Sequence, residues 1–399
     1  MNIKEIVPGI HYAGVNDRVT TLFEALWPLP QGVSYNSYIV CGSEKTALID
    51  TVRIDEVRDF FNNIHDLIAD RPIDYLVVNH MEPDHSGSIP EILRAYPDLK
   101  VVGNSQTIQM VKGFYHIDDP ERLLEIKDGG ELSLGDMTLR FVTTPMVHWP
   151  ETMMTYVPER KTLFTGDAFG CFGALNGAVV DSEMDTDRYI PEMYRYYSNI
   201  VGKYGQFVQR ALKKLGGVEM DYICSTHGPV WHERIGEVVG IYNRLSLYQP
   251  EAGVTIIYGS MYGNTGEAAE EIARGLAEAG VRNIRVHNAA YASMSDMISD
   301  AFRYEGLIVG SATYSMHLFP PVEEFMIAME TREIKNKVFG WFGNHTWAPK
   351  IVGPTMEAYA QKMKLEISAS LSVKQSLDDA TRADAREFGR NFAAKLSVK

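Results

Sequence analysis

The chain has 399 residues, of which 45% are hydrophobic and 23% are charged, and this composition excludes a disordered, collagen-like or coiled-coil protein. Asp and Glu number 52 against 38 Lys and Arg, and the net charge of −14 disfavours nucleic acid as a partner. No apolar run is long enough to span a bilayer and no secretory signal is visible, so no membrane partner is expected. The three cysteines include no C-x-x-C pair, which disfavours a disulfide scaffold and fits a cytoplasmic location.

The first part of the chain, residues 1–250, predicts sheets covered by helices. Short runs rich in β-branched, aromatic and aliphatic residues predict strands, in the order TALIDT, DYLVVNH, KVVGN, TLRFVTTPMVH, TLFTGD and YICSTHG. Helical patterns such as DEVRDFFNNIHDLIAD lie between some of them. Pro and Gly in the stretch 249–253 interrupt regular structure, and we interpret this stretch as a linker to a second domain, 251–399.

Metal-capable side chains follow several of these predicted strands. Four of them follow YLVV within six residues, and they are His80, Glu82, Asp84 and His85. Three more end the runs MVH, TLFTGD and STH, and they are His148, Asp167 and His227. Because functional loops often lie at strand ends, we expect these seven side chains to converge on one edge of a sheet sandwich. The alternative is a polar turn whose carboxylates cap the following helix, SIPEILRAY.

In the second part, strands and helices alternate strictly. The predicted strands are VTIIYGS, NIRVHN, GLIVGS, KVFGWFGN and LEISASLSV. Helical patterns follow each strand, as in GEAAEEIARGLAEAG, where Ala268, Ile272 and Leu276 recur one helical turn apart. Such alternation predicts a doubly wound parallel α/β sheet.

Three segments lie at the predicted carboxyl edge of this sheet, where a doubly wound fold opens its binding crevice. The first connects a strand to a helix, where phosphate binds in such folds, and consists of Ser260, Met261, Tyr262, Gly263, Asn264 and Thr265. The second and third follow GLIVG and KVFGWF, and they are Ser311, Ala312, Thr313 and Tyr314, and Gly343, Asn344, His345, Thr346 and Trp347. The first resembles the T-x-T-G-x-T phosphate loop of flavodoxins, in which the other two segments frame the isoalloxazine ring. FMN is favoured over FAD because no second nucleotide site is visible, although an ordinary tight turn remains the alternative for the first segment.

The run H-x-E-x-D-H together with His148, Asp167 and His227 resembles the metallo-β-lactamase fold as flavodiiron proteins use it. Hydrolases of that fold usually carry H-x-H-x-D-H, so Glu82 replaces a neutral imidazole by an anion, and hard anionic oxygen donors favour iron. The resemblance implies that His80, Glu82 and His148 hold one iron, that Asp84, His85 and His227 hold the other, and that Asp167 bridges them. It implies no catalytic group beyond these ligands. Trp149 and Glu151 are expected to support the ligands or line the pocket, and simple packing is the alternative for Trp149.

The resemblance extends over nearly the whole chain, through GVSYNSYIV, HMEPDHSGS, HWPETM, STHGPVW and SMYGNTGE in the family's order. It implies an N-terminal metallo-β-lactamase-like αββα sandwich followed by a flavodoxin-like domain, in a short two-domain form. It also implies a cytoplasmic oxidoreductase that protects an anaerobic cell by reducing nitric oxide to nitrous oxide, dioxygen to water, or both. The implied electron donor is rubredoxin-like, and the implied assembly is a head-to-tail homodimer or homotetramer.

Two other functions remain open from the sequence. One is a di-zinc hydrolase fused to a flavin module, and the other is a flavin-binding electron carrier with an inactive metal site. The sequence does not determine the preferred gas or the native donor.

Overall fold

The computed structural model describes residues 4–397, and the chain forms two compact units, Met1–Ser246 and Leu247–Lys399. Each unit has its own sheets. The stretch 249–253, interpreted above as a linker, is largely strand, because the first strand of the second unit begins at Glu251. No helix within residues 4–397 has both the length and the apolar character that crossing a membrane requires.

The strands of the first unit are mostly short. They are β1 (Lys4–Val7), β2 (Ile10–Tyr12), β3 (Val15–Asp17), β4 (Leu22–Phe23), β5 (Trp27–Pro28), β6 (Val33–Tyr35), β7 (Tyr38–Cys41), β8 (Thr46–Ile49), β9 (Tyr75–Val77), β10 (Lys100–Gly103), β11 (Leu123–Glu125), β12 (Glu131–Ser133), β13 (Thr138–Thr143), β14 (Met153–Val157), β15 (Thr162–Phe164) and β16 (Tyr222–Cys224). The helices are α1 (Val57–Ile68), α2 (Pro83–Ser86), α3 (Ile89–Ala95), α4 (Ser105–Tyr115), α5 (Tyr189–Tyr196), α6 (Gly205–Leu215) and α7 (Ile235–Ser246).

Two mixed sheets form the frame of this unit. The first has the order β1-β2-β7-β8-β9-β10-β11, antiparallel up to β8 and parallel from β8 onward. The second has the order β12-β13-β14-β15-β16, in which only β15 and β16 pair in parallel. Parallel neighbours need crossover connections, and helices α1, α3 and α4 lie in those of the first sheet. The parallel pairs therefore bring the carboxyl ends of β8 and β9, and of β15 and β16, to a common edge of each sheet.

The loop between β13 and β14 differs from the sequence prediction. The run TLRFVTTPMVH was predicted as one strand, but β13 ends at Thr143 and His148 lies in the following loop. The Thr152 hydroxyl closes this loop by donating to the carbonyl oxygens of Thr144 at 2.6 Å and Trp149 at 2.9 Å. These bonds hold the turn that carries His148.

The second unit is a doubly wound parallel sheet, as predicted. Its strands are β17 (Glu251–Gly259), β18 (Ile284–Asn288), β19 (Tyr304–Tyr314), β20 (His317–Leu318), β21 (Val338–His345) and β22 (Ile367–Lys374). Its helices are α8 (Asn264–Glu278), α9 (Met294–Arg303), α10 (Pro320–Thr331), α11 (Val352–Met363) and α12 (Asp379–Ala393). The order β18-β17-β19-β21-β22 is parallel throughout, and β20 forms a short antiparallel hairpin with β19. Ile256, Ile272 and Phe392 belong to the core between this sheet and helices α8 and α12.

Candidate functional site

The seven metal-capable side chains predicted from the sequence lie together in the first unit, in two groups. In each group the candidate ligand atoms lie within 4.8 Å of one another. The first group comprises His80, Glu82, His148 and Asp167, and the second comprises Asp84, His85 and His227. They come from the ends of β9, β15 and β16, from the single-turn helix α2, and from the β13–β14 loop. The sheet edges therefore collect residues that are far apart in the chain.

In the first group, two imidazoles face two carboxylates. Nε2 of His148 lies 3.1 Å from Oε2 of Glu82 and 3.0 Å from Oδ2 of Asp167. Nε2 of His80 lies 3.2 Å from the same Glu82 oxygen and 3.6 Å from the same Asp167 oxygen. All four side chains thus point one nitrogen or oxygen at a common centre.

The second group repeats this arrangement with the other oxygen of Asp167. Nε2 of His85 lies 3.1 Å from Oδ2 of Asp84 and 3.0 Å from Oδ1 of Asp167. Nε2 of His227 lies 3.4 Å from Oδ2 of Asp84 and 3.8 Å from Oδ1 of Asp167. Each group therefore contains two histidines and one carboxylate of its own, and Asp167 presents one oxygen to each.

Hydrogen bonds hold the shared carboxylate in this orientation. The Thr226 hydroxyl donates to Oδ1 of Asp167 at 2.5 Å, and the Tyr196 hydroxyl donates to Oδ2 at 2.8 Å. Asp167 is 1% exposed, so its two oxygens cannot turn toward water. Sequence reasoning missed Thr226 and Tyr196, because no local pattern marks a hydroxyl that reaches a carboxylate on another element.

Other hydrogen bonds orient the histidine rings. Nδ1 of His80 lies 2.9 Å from Oε1 of Glu151, and Nδ1 of His227 lies 2.8 Å from the carbonyl oxygen of Ser34. When Nδ1 carries the proton and donates it to these oxygens, Nε2 of each ring is free to bind a metal. Glu151 was singled out from the sequence as a supporting residue, whereas Ser34 contributes only its backbone and left no signal there.

The geometry fits metal ions better than a polar turn. Both carboxylate oxygens of Asp84 are buried, and the nearby imidazoles are not aligned to donate good hydrogen bonds to them; the Nε2 atoms of His85 and His227 lie 3.0 Å apart. No side-chain hydrogen bond caps α2 or α3, so these carboxylates do not serve as the helix caps considered above. Two histidines and one carboxylate form the ligand set typical of non-haem iron(II) sites with open positions. The residues present can hold two transition-metal ions joined by Asp167.

The electrostatics of the cluster favour bound positive charge. Burial alone would lower the pKa of His85, but the Asp84 and Asp167 carboxylates raise it to about 10. Burial is likewise outweighed at His148, where hydrogen bonds to Asp167 and Glu82 raise the pKa to about 9. Burial alone would raise the pKa of Asp167, yet the imidazoles of His80 and His85 hold it well below its usual range. Because metals compete with protons for the same atoms, this cluster should release protons as it takes up metal.

An open cavity of about 810 Å³ leads to the cluster. Its lining includes Glu82 and Asp84 and the segment 19–25. Glu24, on the β4–β5 turn, accepts a hydrogen bond from Nε1 of Trp27 at 3.0 Å. Burial and the neighbouring Glu82 carboxylate raise the pKa of Glu24 to about 7. The cavity therefore borders two of the candidate carboxylate ligands, Glu82 and Asp84, and Glu24 is a further acidic group on its wall that the sequence did not reveal.

In the second unit, the segment from Ser260 to Thr265 joins β17 to α8. Gly263 has a φ of 102°, and a Cβ there would meet nothing within 4 Å. The Ser260 hydroxyl accepts a hydrogen bond from the backbone N–H of Gly263 at 3.0 Å, and no side chain caps the first turn of α8. The N–H groups that begin a helix attract anions, so this open loop fits a phosphate group.

The other two predicted flavin segments lie at the same carboxyl edge, but largely within strands. Parallel pairing of β19 with β21 continues as far as Ala312 and Asn344, so β19 runs past the predicted strand GLIVGS to Tyr314, and β21 runs past KVFGWFGN to His345. Thr346 and Trp347 follow β21 in the loop. Tyr262 is 92% exposed, Trp347 62% and Tyr314 45%, so aromatic surface is available at this edge for a planar ring.

Comparisons with known proteins assign each of the two units to a known family. Residues 33–228 match the family described as "ODP family beta lactamase", and residues 256–388 match the flavodoxin family. A curated relative, the anaerobic nitric oxide reductase flavorubredoxin of Escherichia coli O1:K1 / APEC, is 32% identical over 395 residues, which is 98% of this chain and 81% of that protein.

Solved structures are similar over the full length. Rubredoxin oxygen:oxidoreductase from the anaerobe Desulfovibrio gigas has a TM-score of 0.92 at 26% identity, with 98% of each chain covered. A mutant flavo di-iron protein from Thermotoga maritima has a TM-score of 0.89 at 26% identity, also with 98% of each chain covered. The flavodiiron protein from Giardia intestinalis, at 24% identity and a TM-score of 0.93 over 99% of this chain and 96% of its own, supports the fold alone. This chain belongs to the flavodiiron protein family.

Proposed function

We propose that this protein is an FMN-dependent oxidoreductase that reduces nitric oxide to nitrous oxide, dioxygen to water, or both, at a pair of non-haem irons. The observation that carries the proposal is the Asp167 carboxylate, which presents one oxygen to each of two groups of two histidines and one carboxylate. A flavodoxin-like unit in the same chain supplies a site suited to FMN. The relatives named above are nitric oxide and oxygen reductases by name.

The ligand set is assigned from the two groups. His80, Glu82 and His148 would hold one iron, and Asp84, His85 and His227 would hold the other. Asp167 would bridge them, held by the Thr226 and Tyr196 hydroxyls. Glu82 adds a third carboxylate to the two aspartates, and this anionic oxygen set favours iron over the zinc of hydrolases.

The residues of the second unit would bind FMN in three parts. The N–H groups at the start of α8, with Ser260 and Thr265, would hold the phosphate. The strand ends at Thr313 and Asn344 would border the ring, and Tyr314 and Trp347 would offer aromatic surface to it. The fifteen predicted flavin-site residues remain candidates as a set.

Reduction of two nitric oxide molecules requires two electrons, and reduction of one dioxygen requires four. When bound, FMN relays electrons one at a time and the iron pair provides the place where the gas is reduced. Two molecules of nitric oxide with two electrons and two protons give one nitrous oxide and one water, and one dioxygen with four electrons and four protons gives two waters. The cavity beside Glu82 and Asp84 admits the gas, and the buried histidines keep the metal-binding atoms away from bulk water.

A rubredoxin-like protein is the proposed electron donor, and a head-to-tail homodimer, or a homotetramer built from such dimers, is the proposed assembly. Exposed apolar side chains support the assembly: Val19 (88%) and Leu22 (42%) line the cavity of the first unit, and Tyr262 and Trp347 lie at the flavin edge of the second. An assembly in which the flavin edge of one copy meets the cavity of another would cover these side chains. A fully active protein that sediments strictly as a monomer would contradict this assembly. The proposed compartment is the cytoplasm, in keeping with three cysteines that form no disulfide.

Metal and flavin analysis of the purified protein tests the proposal first. Two irons and one FMN per chain, with nitric oxide or dioxygen consumed by the reduced protein, are expected. Two zincs with hydrolytic turnover would overturn it in favour of the hydrolase, which the oxidoreductase names of the relatives already disfavour.

Two variants separate the two cofactor sites. Asp167→Asn should abolish gas reduction while leaving FMN bound, whereas gas reduction at the normal rate would point to an electron carrier with an inactive metal site. Thr265→Ala should weaken FMN binding without loss of iron, because Thr265 lies in the first turn of α8, where the phosphate would bind, and the candidate iron ligands all lie in the first unit. Loss of both cofactors in either variant would contradict two independent sites.

A further inference from the structure

The two metal-binding groups differ in their surroundings, although their ligand types are the same. Each group has two histidines, one carboxylate and one oxygen of Asp167. A hydroxyl supports each oxygen of Asp167, so the shared ligand is balanced between the groups. Any inequality must therefore come from what contacts the other ligands.

One difference lies at Nδ1 of one histidine in each group. In the first group, His80 bonds the Glu151 carboxylate at 2.9 Å, whereas in the second group His227 bonds only the neutral carbonyl of Ser34 at 2.8 Å. The other two histidines, His85 and His148, have no hydrogen bond at Nδ1 among residues 4–397. A charged acceptor therefore supports the first group alone.

Glu151 is in an unusual position for a carboxylate. It is 1% exposed, and its Oε1 accepts both from His80 and from the backbone N–H of Met81 at 2.8 Å. Its Oε2 is buried with no hydrogen-bond partner, and no Lys or Arg within residues 4–397 pairs with it. Burying an anion without a Lys or Arg partner is costly, and positive charge on the His80 side would offset that cost. Beyond the imidazole itself, a metal ion bound at Nε2 of His80 would supply that charge.

We propose that the two metal sites bind with unequal affinity, and that Glu151 is the positioning residue responsible. The site formed by His80, Glu82 and His148 retains its ion, and the site formed by Asp84, His85 and His227 exchanges its ion more readily. A carboxylate on Nδ1 fixes the ring and makes Nε2 a stronger donor, and removing such a partner commonly costs about 10–100-fold in metal affinity. This inference rests on the proposed diiron function and adds the order in which the ions leave.

Release of ferrous iron from the reduced holoenzyme tests the inference. Ferrozine in excess forms a coloured complex with each ferrous ion that leaves, and iron content is measured beforehand. We expect two phases of equal amplitude, with the slow phase at least about tenfold slower than the fast one. A chain that holds fewer than two irons at the start would refute the proposed function. Release of both irons in a single phase from a fully loaded chain would refute only the inequality.

Variants assign the phases to the two groups. Glu151→Gln keeps an acceptor near His80 and removes the charge, so it should accelerate the slow phase by about 10–100-fold and leave the fast phase unchanged. His85→Asn should change the fast phase and leave the slow phase as it is. Glu271→Gln is the matched control, since Glu271 is also a buried carboxylate but lies on α8 of the second unit, and it should change neither phase.

A spectroscopic measurement does not depend on release rates. Loaded with one equivalent of ⁵⁷Fe, the wild-type protein should give a single ferrous Mössbauer doublet, and Glu151→Gln should give a mixture. A mixture in the wild type, or acceleration of only the fast phase by Glu151→Gln, would overturn the role of Glu151. If Glu151→Gln does not fold, His85→Asn tests the assignment of the phases. Faster iron release in the slow phase of His85→Asn would contradict the assignment of that phase to the site formed by His80, Glu82 and His148.

Discussion

The Asn36 side chain forms hydrogen bonds to both ends of the segment that carries Thr226 and His227. Removing its amide should lower the free energy of unfolding of the first unit. Its side chain is fully buried. Nδ2 donates to the carbonyl oxygens of Ser225 at 2.9 Å and Gly228 at 2.8 Å, and Oδ1 accepts from the Tyr12 hydroxyl at 2.9 Å. Asn36→Leu conserves much of the volume and removes all three bonds.

The expected loss follows from the groups that are left unpaired. The Gly228 carbonyl and the Tyr12 hydroxyl lose their partner, whereas the Ser225 carbonyl still accepts from the Tyr38 hydroxyl at 2.6 Å. A buried polar group left without a partner costs about 1–3 kcal/mol, so the two together predict a loss of roughly 2–6 kcal/mol in the free energy of unfolding of the first unit. The control Tyr38→Phe removes one bond and leaves Ser225 paired with Asn36, so it should cost only about 0.5–1.5 kcal/mol.

The assay must resolve the first unit, because a protein of two units need not unfold in one step. Hydrogen exchange of peptides from the first unit, measured in the metal-free protein at increasing urea, provides that resolution. Iron retention should fall in parallel for Asn36→Leu, since His227 lies between two of the anchored carbonyls. A cost for Asn36→Leu no larger than that for Tyr38→Phe would refute the reasoning.

Three further predictions concern the second unit. Gly263→Ala should weaken FMN binding, because the φ of 102° strains any side chain in the phosphate loop by about 1–2 kcal/mol. Gly280→Ala is the control: its φ is 92° and its surroundings are equally open, but it lies outside the loop and should not weaken FMN binding. Equal flavin affinities of the two variants by fluorescence titration would contradict this. Burial lowers the pKa of Lys337 from 10.5 to about 7, so between these values the unfolded chain binds more protons and wild-type stability should rise with pH. Lys337→Met should lack that rise, and equal slopes in urea midpoints between pH 7 and 9 would disprove it. Glu271→Gln should destabilise the packing of α8 against α12 by about 1–2 kcal/mol, because this buried carboxylate pairs with half-exposed arginines. Glu278→Gln, which breaks an ion pair at the surface, should cost under about 1 kcal/mol. Similar thermal unfolding midpoints for the two variants would argue against the effect of burial.

Periodicity predicted the fold class of the second unit, whereas the sandwich of the first unit was implied by the family resemblance. Strict alternation after residue 251 corresponds to the parallel order β18-β17-β19-β21-β22, since parallel strands require a crossover after each one. The end of β19 was placed too early, at Ser311 instead of Tyr314, because the pairing of Ala312 with Asn344 is a non-local contact that no local pattern reports. His148 was placed at a strand end for a similar reason, as the loop that carries it depends on the Thr152 hydroxyl and its two carbonyl acceptors.

The candidate metal cluster was predictable in its residue types and less so in its surroundings. His80, Glu82, Asp84 and His85 stand within six residues, so their density was visible directly. By contrast, the support that Tyr196 gives Asp167 joins residues from different elements. Such contacts arise only when the sheets bring separate segments together.

Chain order and residue chemistry were enough to predict which side chains could bind metal and which loop could hold a phosphate. Those features depend on a short-range sequence pattern, an apolar strand followed directly by a polar residue. Only the tertiary structure showed that the two oxygens of Asp167 face different groups and that the Glu151 carboxylate contacts Nδ1 of His80, in the first group. The physical reason is that the register of neighbouring strands and the burial of unpaired polar atoms are set by contacts between residues many positions apart, and no single segment contains them.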